Sequence, residues 1–448
     1  MRYSARIIIV IIKAYSACFT KRWGKMKVLP YRVRDPIHGF ITFSENEKKI
    51  IDSKQFQRLK NIKQLSMTYY VYPGAMHTRF EHSLGVMELA STIFNRLYRK
   101  NADIIDSNFK RISLEPLEAY WILRLTALLH DIGHLPFSHG GEAILPKGVQ
   151  HEDISIAIIK TYRDFLDKLY FEGISDIVVQ ILEGQVIPEL NFLKDILSGS
   201  IDADRMDYLL RDSLHCGVNY GSFDFHRLID TLTIIPDGTG GLSLAVDHGG
   251  IHSIEALILA RYYMFTQVYM HRTRRIYDIY LKDFMHNWNM DLELLINVLD
   301  YDDRDLLHML KTVAMNKEHE SYTIANRICY RQHHSVVYET SEFADARDVK
   351  IAKKIFSSLK SENLDYDFIL DDKAKGNIHN FFVPGDSDNG VELMVVHKQR
   401  KTLITQASSI LGKIPKRFQV VRIYVNEKDQ DELDRLRNEA KRMEKEVI

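Results

Sequence analysis

Cysteine is scarce in this chain. Its three residues, Cys18, Cys216 and Cys329, are odd in number and far apart, which excludes a disulfide framework and points to a reducing, cytoplasmic setting. Net charge is missing as well. Sixty basic residues balance sixty acidic ones, so bulk electrostatics cannot coat nucleic acid or an anionic membrane with this protein, and only local basic pockets remain. Long apolar runs are also absent. Ile7 to Ile12 is continuously apolar but broken by Lys13, too short to span a bilayer and without a clear cleavage site. Residues 1–25 therefore read as a disordered leader or an over-extended start, with Met26 opening the working chain; a weak signal sequence or an interfacial helix is the alternative reading. There is no internal repeat, no low-complexity segment and no long linker.

What is present suits one large core with an appendage. The chain has 448 residues, 45% of them hydrophobic, ample for a sizeable buried core. Helical periodicity dominates from about residue 45 to 320. Leu84, Met87, Ala90, Phe94 and Leu97 recur at spacings of three and four, as do Ile254, Leu257, Ile258, Phe265 and Val268, each set marking one buried helical face. Leu125, Leu128 and Leu129 lead into His130, and Gly133 and Pro136 interrupt that helix. Breakers from Asp237 to Gly241 predict a hairpin or insertion loop. After about residue 325, Ser335 to Tyr338, Val391 to Val396 and Phe418 to Tyr424 read as strands, Lys350 to Leu359 as a helix, and Asp431 to Lys445 as a charged terminal helix. The expected fold is mainly α: a leader over 1–25, a helical core over 26–325 and a small α+β region over 326–448.

Six of the nineteen histidines fall between His77 and His151. They sit in the strings Arg79-Phe80-Glu81-His82-Ser83 and His130-Asp131-Ile132-Gly133-His134, followed by His139, Glu142 and His151, and later Asp202-Ala203-Asp204-Arg205-Met206-Asp207-Tyr208. A neutral imidazole beside a carboxylate at the end of an apolar helix can turn toward one cation, and an aspartate there is costly to bury alone. His82 and Asp204 would complete a His-His-Asp-Asp set. Mixed nitrogen and oxygen donors favour Mn, Fe, Zn or Ni over Ca. Each residue also has a plainer reading. His82 could fill a helix contact, Asp204 could pair with Arg211, and Arg79 could form a surface salt bridge with Glu81 or Glu88.

The strings Arg34-Asp35-Pro36-Ile37-His38-Gly39, Gln55-Phe56-Gln57-Arg58-Leu59, Ile62-Lys63-Gln64-Leu65 and Tyr70-Val71-Tyr72-Pro73-Gly74-Ala75, with Arg79 to Gly85 and His130 to His139, resemble the HD-domain deoxynucleoside triphosphate triphosphohydrolases. The resemblance spans roughly Tyr31 to Tyr280. It implies that His82, His130, Asp131 and Asp204 hold a divalent transition metal, with Mg accompanying the nucleotide, and that no SAM domain fits ahead of this core. It further implies that Arg79 contacts the triphosphate, that His134 is the catalytic histidine and that Glu142, where the family usually has Asp, orients it. His139 and His151 then line the phosphate site, or are satisfied structural histidines. Leu65 falls in the substrate-binding string, and Arg205 stands where some relatives carry lysine. Tyr208 matches the ring packed on the deoxyribose, and Asp212 and Gln64 match the pair that bonds the 3′-hydroxyl. The basic stretch Gln267 to Arg275 echoes the family without a fixed register.

The implied reaction is attack of metal-bound water on the α-phosphorus of a dNTP, releasing deoxynucleoside and inorganic triphosphate. Asp52, Gln57 and Lys60 match a guanine-reading activator site between subunits, with lysine in place of arginine, so a homo-oligomer activated by GTP or a dNTP is expected. The rivals are an HD phosphohydrolase acting on another nucleotide phosphoester and a nucleotide- or nucleic-acid-binding regulator with little turnover.

Overall fold

The computed structural model describes residues 29–286, 295–384, 390–398 and 400–447; the expected leader and Met26 lie outside these. It is mainly helical, with small sheets concentrated toward the C-terminal side. We number its longer helices in chain order. An N-terminal hairpin, β1 (Tyr31–Asp35) and β2 (Gly39–Phe43), leads to α1 (Glu45–Ile51). The central pair is α2 (Arg79–Lys110) and α3 (Pro116–Leu129). Then come α4 (His151–Thr161), α5 (Ile174–Leu182), α6 (Asn191–Ser198) and α7 (Ala203–Cys216).

Local chemistry sets these boundaries. α2 begins where the Thr78 amide donates to Glu81 Oε1 at 2.8 Å, satisfying one of the free groups of a helix start. α3 has proline at its first position and ends at His130. α7 opens on Asp202, whose carboxylate accepts from the Arg205 amide at 2.7 Å, and closes on Gly217, a residue at φ 69°. The expected face Leu84, Met87, Ala90, Phe94 and Leu97 is buried along α2, which packs against α3 and α7. Metal-type residues from three helices thus meet at one level of the core.

Beyond α7 the breakers at Asp237 to Gly241 join β3 (Leu232–Pro236) to β4 (Leu242–Asp247) in an antiparallel hairpin, as expected. Helices α8 (Ile251–Met264), α9 (Arg272–His286), α10 (Asp303–Ala314) and α11 (Tyr322–Cys329) follow. The C-terminal part holds β5 (Ser335–Glu339), α12 (Ala346–Glu362), β6 (Phe368–Asn377), β7 (Met394–His397), β8 (Arg400–Leu403), β9 (Arg417–Val425) and α13 (Gln430–Val447). One sheet runs β5-β9-β6 and another β3-β4-β7-β8. In the second, β4 pairs in parallel with β7, so strands from either side of residue 325 share one sheet.

β9 shows why its sequence alternates only in part. As the middle strand it is covered on both faces: Val421, Ile423 and Val425 pack with α12 and α13, while Phe418 and Val420 face the main core and Tyr424 a second core around α9 to α11. β6 escaped the sequence reading. Its Asp371-Asp372-Lys373 run breaks the apolar pattern, which an edge strand paired only with β9 tolerates.

Candidate active site

The ends of α2, α3 and α7 converge on a cavity of 860 Å³ whose lining includes His130, Asp131, Asp204, Arg79, Tyr208 and Gln64. His82 Nε2 stands 3.0 Å from Asp204 Oδ1 and 3.5 Å from Asp131 Oδ2. His130 Nε2 stands 3.4 Å from Asp131 Oδ1 and 3.7 Å from Asp204 Oδ1. Adjacent ligand atoms around one ion with bonds of roughly 2.1 Å are about 3 Å apart or somewhat more. Neither Nε2 atom makes a hydrogen bond, although both are buried. The opposite ring nitrogens are both anchored: His82 Nδ1 to Asp207 Oδ2 at 2.8 Å and His130 Nδ1 to the Ala127 carbonyl at 2.8 Å. That pattern orients each Nε2 lone pair toward a shared point, as metal-ligating histidines require. The donor set therefore fits a divalent metal.

Electrostatics agree with a cation position. Burial opposes charging His82, yet the Asp204 and Asp207 carboxylates raise its imidazole to about 10. Burial likewise opposes ionisation of Asp131, but Arg79 and then His130 and His134 hold its carboxyl well below the usual range.

Arg79 is buried. Its NH1 donates to Asp131 Oδ2 at 2.6 Å and its Nε to Ser138 Oγ at 2.7 Å. The surface pairing with Glu81 or Glu88 does not occur, because Glu81 caps α2. Nor does Asp204 pair with Arg211, which bonds Asp207 and Asp35 instead.

A second group lies beside the first. The rings of His134 and His151 stack at 3.7 Å and 15°. Glu142 Oε1 accepts from His151 Nδ1 at 2.7 Å and His139 Nδ1 at 2.9 Å, but stands 3.9 Å from His134 Nδ1. Glu142 therefore bonds the stacked His151 and His139 and reaches His134 only at ion-pair distance, and both nitrogens of His134 are left without a hydrogen bond. Burial, then the positive charges of Arg79 and His151, push His134 well below the usual histidine range. His139 is 60% exposed at the rim.

The rest of the cavity takes the other expected residues. Leu65, Arg205 and Asp212 line it. Asp212 is buried and bonds His77 Nε2 at 2.8 Å and the Tyr269 hydroxyl at 2.6 Å, while Gln64 Oε1 is buried without a partner. Arg205 is tethered to Asp202, 3.3 Å away, and to the Gly199 carbonyl. Asp52, Gln57 and Lys60 are not in this lining. Lys60 Nζ donates to Gln57 Oε1 at 2.7 Å and sits over the Phe80 ring, whereas Asp52 pairs with Lys48.

Several residues at the site carried no assigned role in the sequence. Asp207 is fully buried and accepts from His38, His82 and Arg211. Its signal was Gly85, where a Cβ would overlap the Asp207 carboxylate and the Arg211 guanidinium. Arg274 and Arg275, whose register was open, also line the cavity. Arg275 donates twice to Asp371 of β6, at 3.0 and 2.9 Å.

Comparison with known proteins agrees with this geometry. Residues 79–212 match the HD domain family and residues 223–363 an HD-associated region. An uncharacterized protein of Methanocaldococcus jannaschii is 36% identical over 370 residues, spanning 80% of this chain and 73% of that protein. A deoxynucleoside triphosphate triphosphohydrolase SAMHD1 homolog of Dictyostelium discoideum is 28% identical over 422 residues, spanning 88% of this chain and 76% of its own. The crystal structure of a phosphohydrolase from Bacteroides thetaiotaomicron superposes with a TM-score of 0.68 at 26% identity, covering 88% of this chain and 99% of that one. With the HD segment spanning the ends of α2, α3 and α7 where the two histidines and two aspartates meet, this chain belongs to the HD-domain phosphohydrolase family.

Proposed function

We propose that this protein hydrolyses deoxynucleoside triphosphates to deoxynucleoside and inorganic triphosphate. The observation that carries this reading is a single cavity lined by His130, Asp131, Asp204 and Arg79 together with Tyr208, Gln64 and Asp212, with His82 buried against Asp131 and Asp204, so that phosphate and sugar chemistry share one recess. His82, His130, Asp131 and Asp204 would hold the ion. When bound, a divalent transition metal supplies Lewis acidity and a water of lowered pKa, and Mg accompanies the nucleotide.

The chain's own residues supply the rest. Arg79, fixed against Ser138 and Asp131, presents its guanidinium to phosphate oxygens and stabilises charge that develops in the transition state. Arg205 adds a second cation. His134 donates a proton to the leaving 5′-oxygen. Burial and then the charges of Arg79 and His151 lower its affinity for protons, and the negative charge of a bound triphosphate would favour its protonated form. Glu142 acts through His151 and His139, and Leu65 packs against the substrate. Tyr208 covers the sugar face where a 2′-hydroxyl would collide. The 3′-hydroxyl donates its one proton to a remaining lone pair of Asp212 and accepts from the amide end of Gln64, whose oxygen has no partner within the fold. A homo-oligomer with a nucleotide-binding strip at Asp52, Gln57 and Lys60 belongs to the same reading.

An assay of all four dNTPs and all four NTPs, with products separated by chromatography, tests it. dNTPs should outpace NTPs by about 10² or more, the scale expected when an added hydroxyl has to be excluded. Intact triphosphate should be the inorganic product; pyrophosphate or orthophosphate, or equal rates on both pools, would overturn the reading in favour of another phosphoester.

A further inference from the structure

We propose that Asp303 is a positioning residue that sets the place of Arg79 from outside the cavity. Asp303 is the first residue of α10 and is buried. Its Oδ1 accepts from the Phe137 amide at 2.6 Å and its Oδ2 from the Lys63 amide at 2.9 Å, with Lys63 Nζ 3.6 Å away. One carboxylate thus ties together two segments distant in sequence, Ile62 to Leu65 and His134 to Ser138.

Both segments need such a tie. Phe137 and Ser138 are consecutive non-glycine residues at φ 59° and 58°, a left-handed backbone that costs free energy and persists only when its surroundings hold it. That turn places the Ser138 hydroxyl under the Arg79 guanidinium, which in turn meets Asp131. On the other side, the Arg79 amide donates to the Ile62 carbonyl at 2.9 Å and the Gln64 amide to the His77 carbonyl at 3.0 Å. Arg58 reinforces the clamp, bridging the Tyr301 and His134 carbonyls at 2.6 Å each. Asp303 touches no cavity atom, and its two acceptors are the hinge of both walls around Arg79.

The role assigned to Arg79 rests on the proposed reaction, so the test has two readouts. Asp303→Asn keeps one acceptor and turns an amide donor toward the other N–H. In the full-length variant, hydrogen exchange should speed up in peptides covering residues 62–66 and 135–139, and remain unchanged in the α2 peptide over 84–97. That measurement needs no substrate. Unchanged exchange in both loops overturns the proposal whatever the protein hydrolyses. In turnover of the preferred dNTP, kcat should fall by about 10- to 100-fold at unchanged metal content, the scale of a misplaced catalytic group. Within an Arg79→Ala background the same substitution should cost less than about twofold, since both act through one guanidinium. An undiminished loss in that background also overturns it. Should Asp303→Asn fold poorly, Ser138→Ala removes only the last link: it should reproduce the kcat loss with normal loop exchange, and wild-type kcat there is equally fatal. A protein that turns over no dNTP defeats the proposed function and leaves the exchange result to decide Asp303.

Discussion

His82 and His334 are both buried histidines with carboxylate neighbours, and they are pushed in opposite directions. His82, on the metal side of the cavity, is raised to about 10 because two aspartates outweigh the effect of burial. His334, in the second core beside Tyr280, is lowered to about 4 by burial and by Arg327, which Asp367 fails to offset. The difference lies in who shares the carboxylates. Around His82 there are more acidic oxygens than protein cations to satisfy them, an imbalance that a bound ion corrects. Around His334 the donors and acceptors pair off within the fold. The first environment is built for a ligand, and the second is packing.

The largest expected effect attacks the imbalance directly. Asp131→Ala should remove the metal and all activity, because Asp131 is shared by His82, His130 and Arg79; elemental analysis of the purified variant checks it. Full metal content would detach Asp131 from the cation position. Arg79→Ala should retain metal but lower kcat by about 10² to 10³, the loss typical of one transition-state donor. Metal analysis alongside single-turnover rates separates the two.

The His334 side offers the contrasting test. A histidine lowered from about 6.5 in the unfolded chain to about 4 in the fold stabilises above pH 6.5, and that contribution is lost as pH falls toward 4. The unfolded state binds the extra proton in that window, so stability rises with pH. Taken at face value the shift is worth at most about 3 kcal/mol. His334→Gln should therefore flatten the dependence of Tm on pH between these values and leave metal content alone. A slope identical to wild type would mean that His334 is as solvated as a free imidazole.

A smaller effect is expected from Asp207, which touches no cavity atom but holds His82 Nδ1. Asp207→Asn should weaken metal affinity by about 10- to 100-fold, the scale seen when a partner behind a metal-bound histidine is changed. Competition with a chelator measures it. Unaltered affinity would show that Arg211 and the packing at Gly85 suffice to orient the ring.

These contrasts also show what could be read from the chain. The α2 face, the helix ending at His130, the hairpin at Asp237 to Gly241 and the strand at Phe418 to Tyr424 were legible because their patterns are local. The candidate metal residues were legible because their strings, taken together, resemble those of a known family. What escaped depends on partners far along the chain. β6 looks polar until its Asp371 meets Arg275, 96 residues away. Asp207 looks like an ordinary mid-helix residue and Asp303 like an ordinary helix-start aspartate until the donors to their carboxylates are traced to His38 and the Phe137 amide. The candidate ligands could be named from the sequence, and the residues that aim them could not.

The strip Asp52, Gln57 and Lys60 gives the smallest expected effect and the sharpest control. Unlike the His82 set, these side chains are already satisfied: Gln57 Nε2 donates to the Ile51 carbonyl at 2.7 Å and its Oε1 accepts from Lys60, which also rests on the Phe80 ring. None of these three side chains has an unpartnered buried atom. If the strip binds an activator, the nucleotide must displace these contacts and favour the active assembly over the inactive one by its own differential affinity. Asp52 is exposed beside Lys48, so Asp52→Ala should leave Tm, metal content and basal turnover unchanged. It should abolish any rise in turnover or sedimentation coefficient caused by GTP or a second dNTP. Lys60 offers a point charge in place of the planar fork of arginine, and Lys60→Arg should strengthen a guanine response by restoring bidentate donors. Turnover on a single dNTP that starts without lag and ignores GTP in both variants and wild type would assign the strip to helix packing alone.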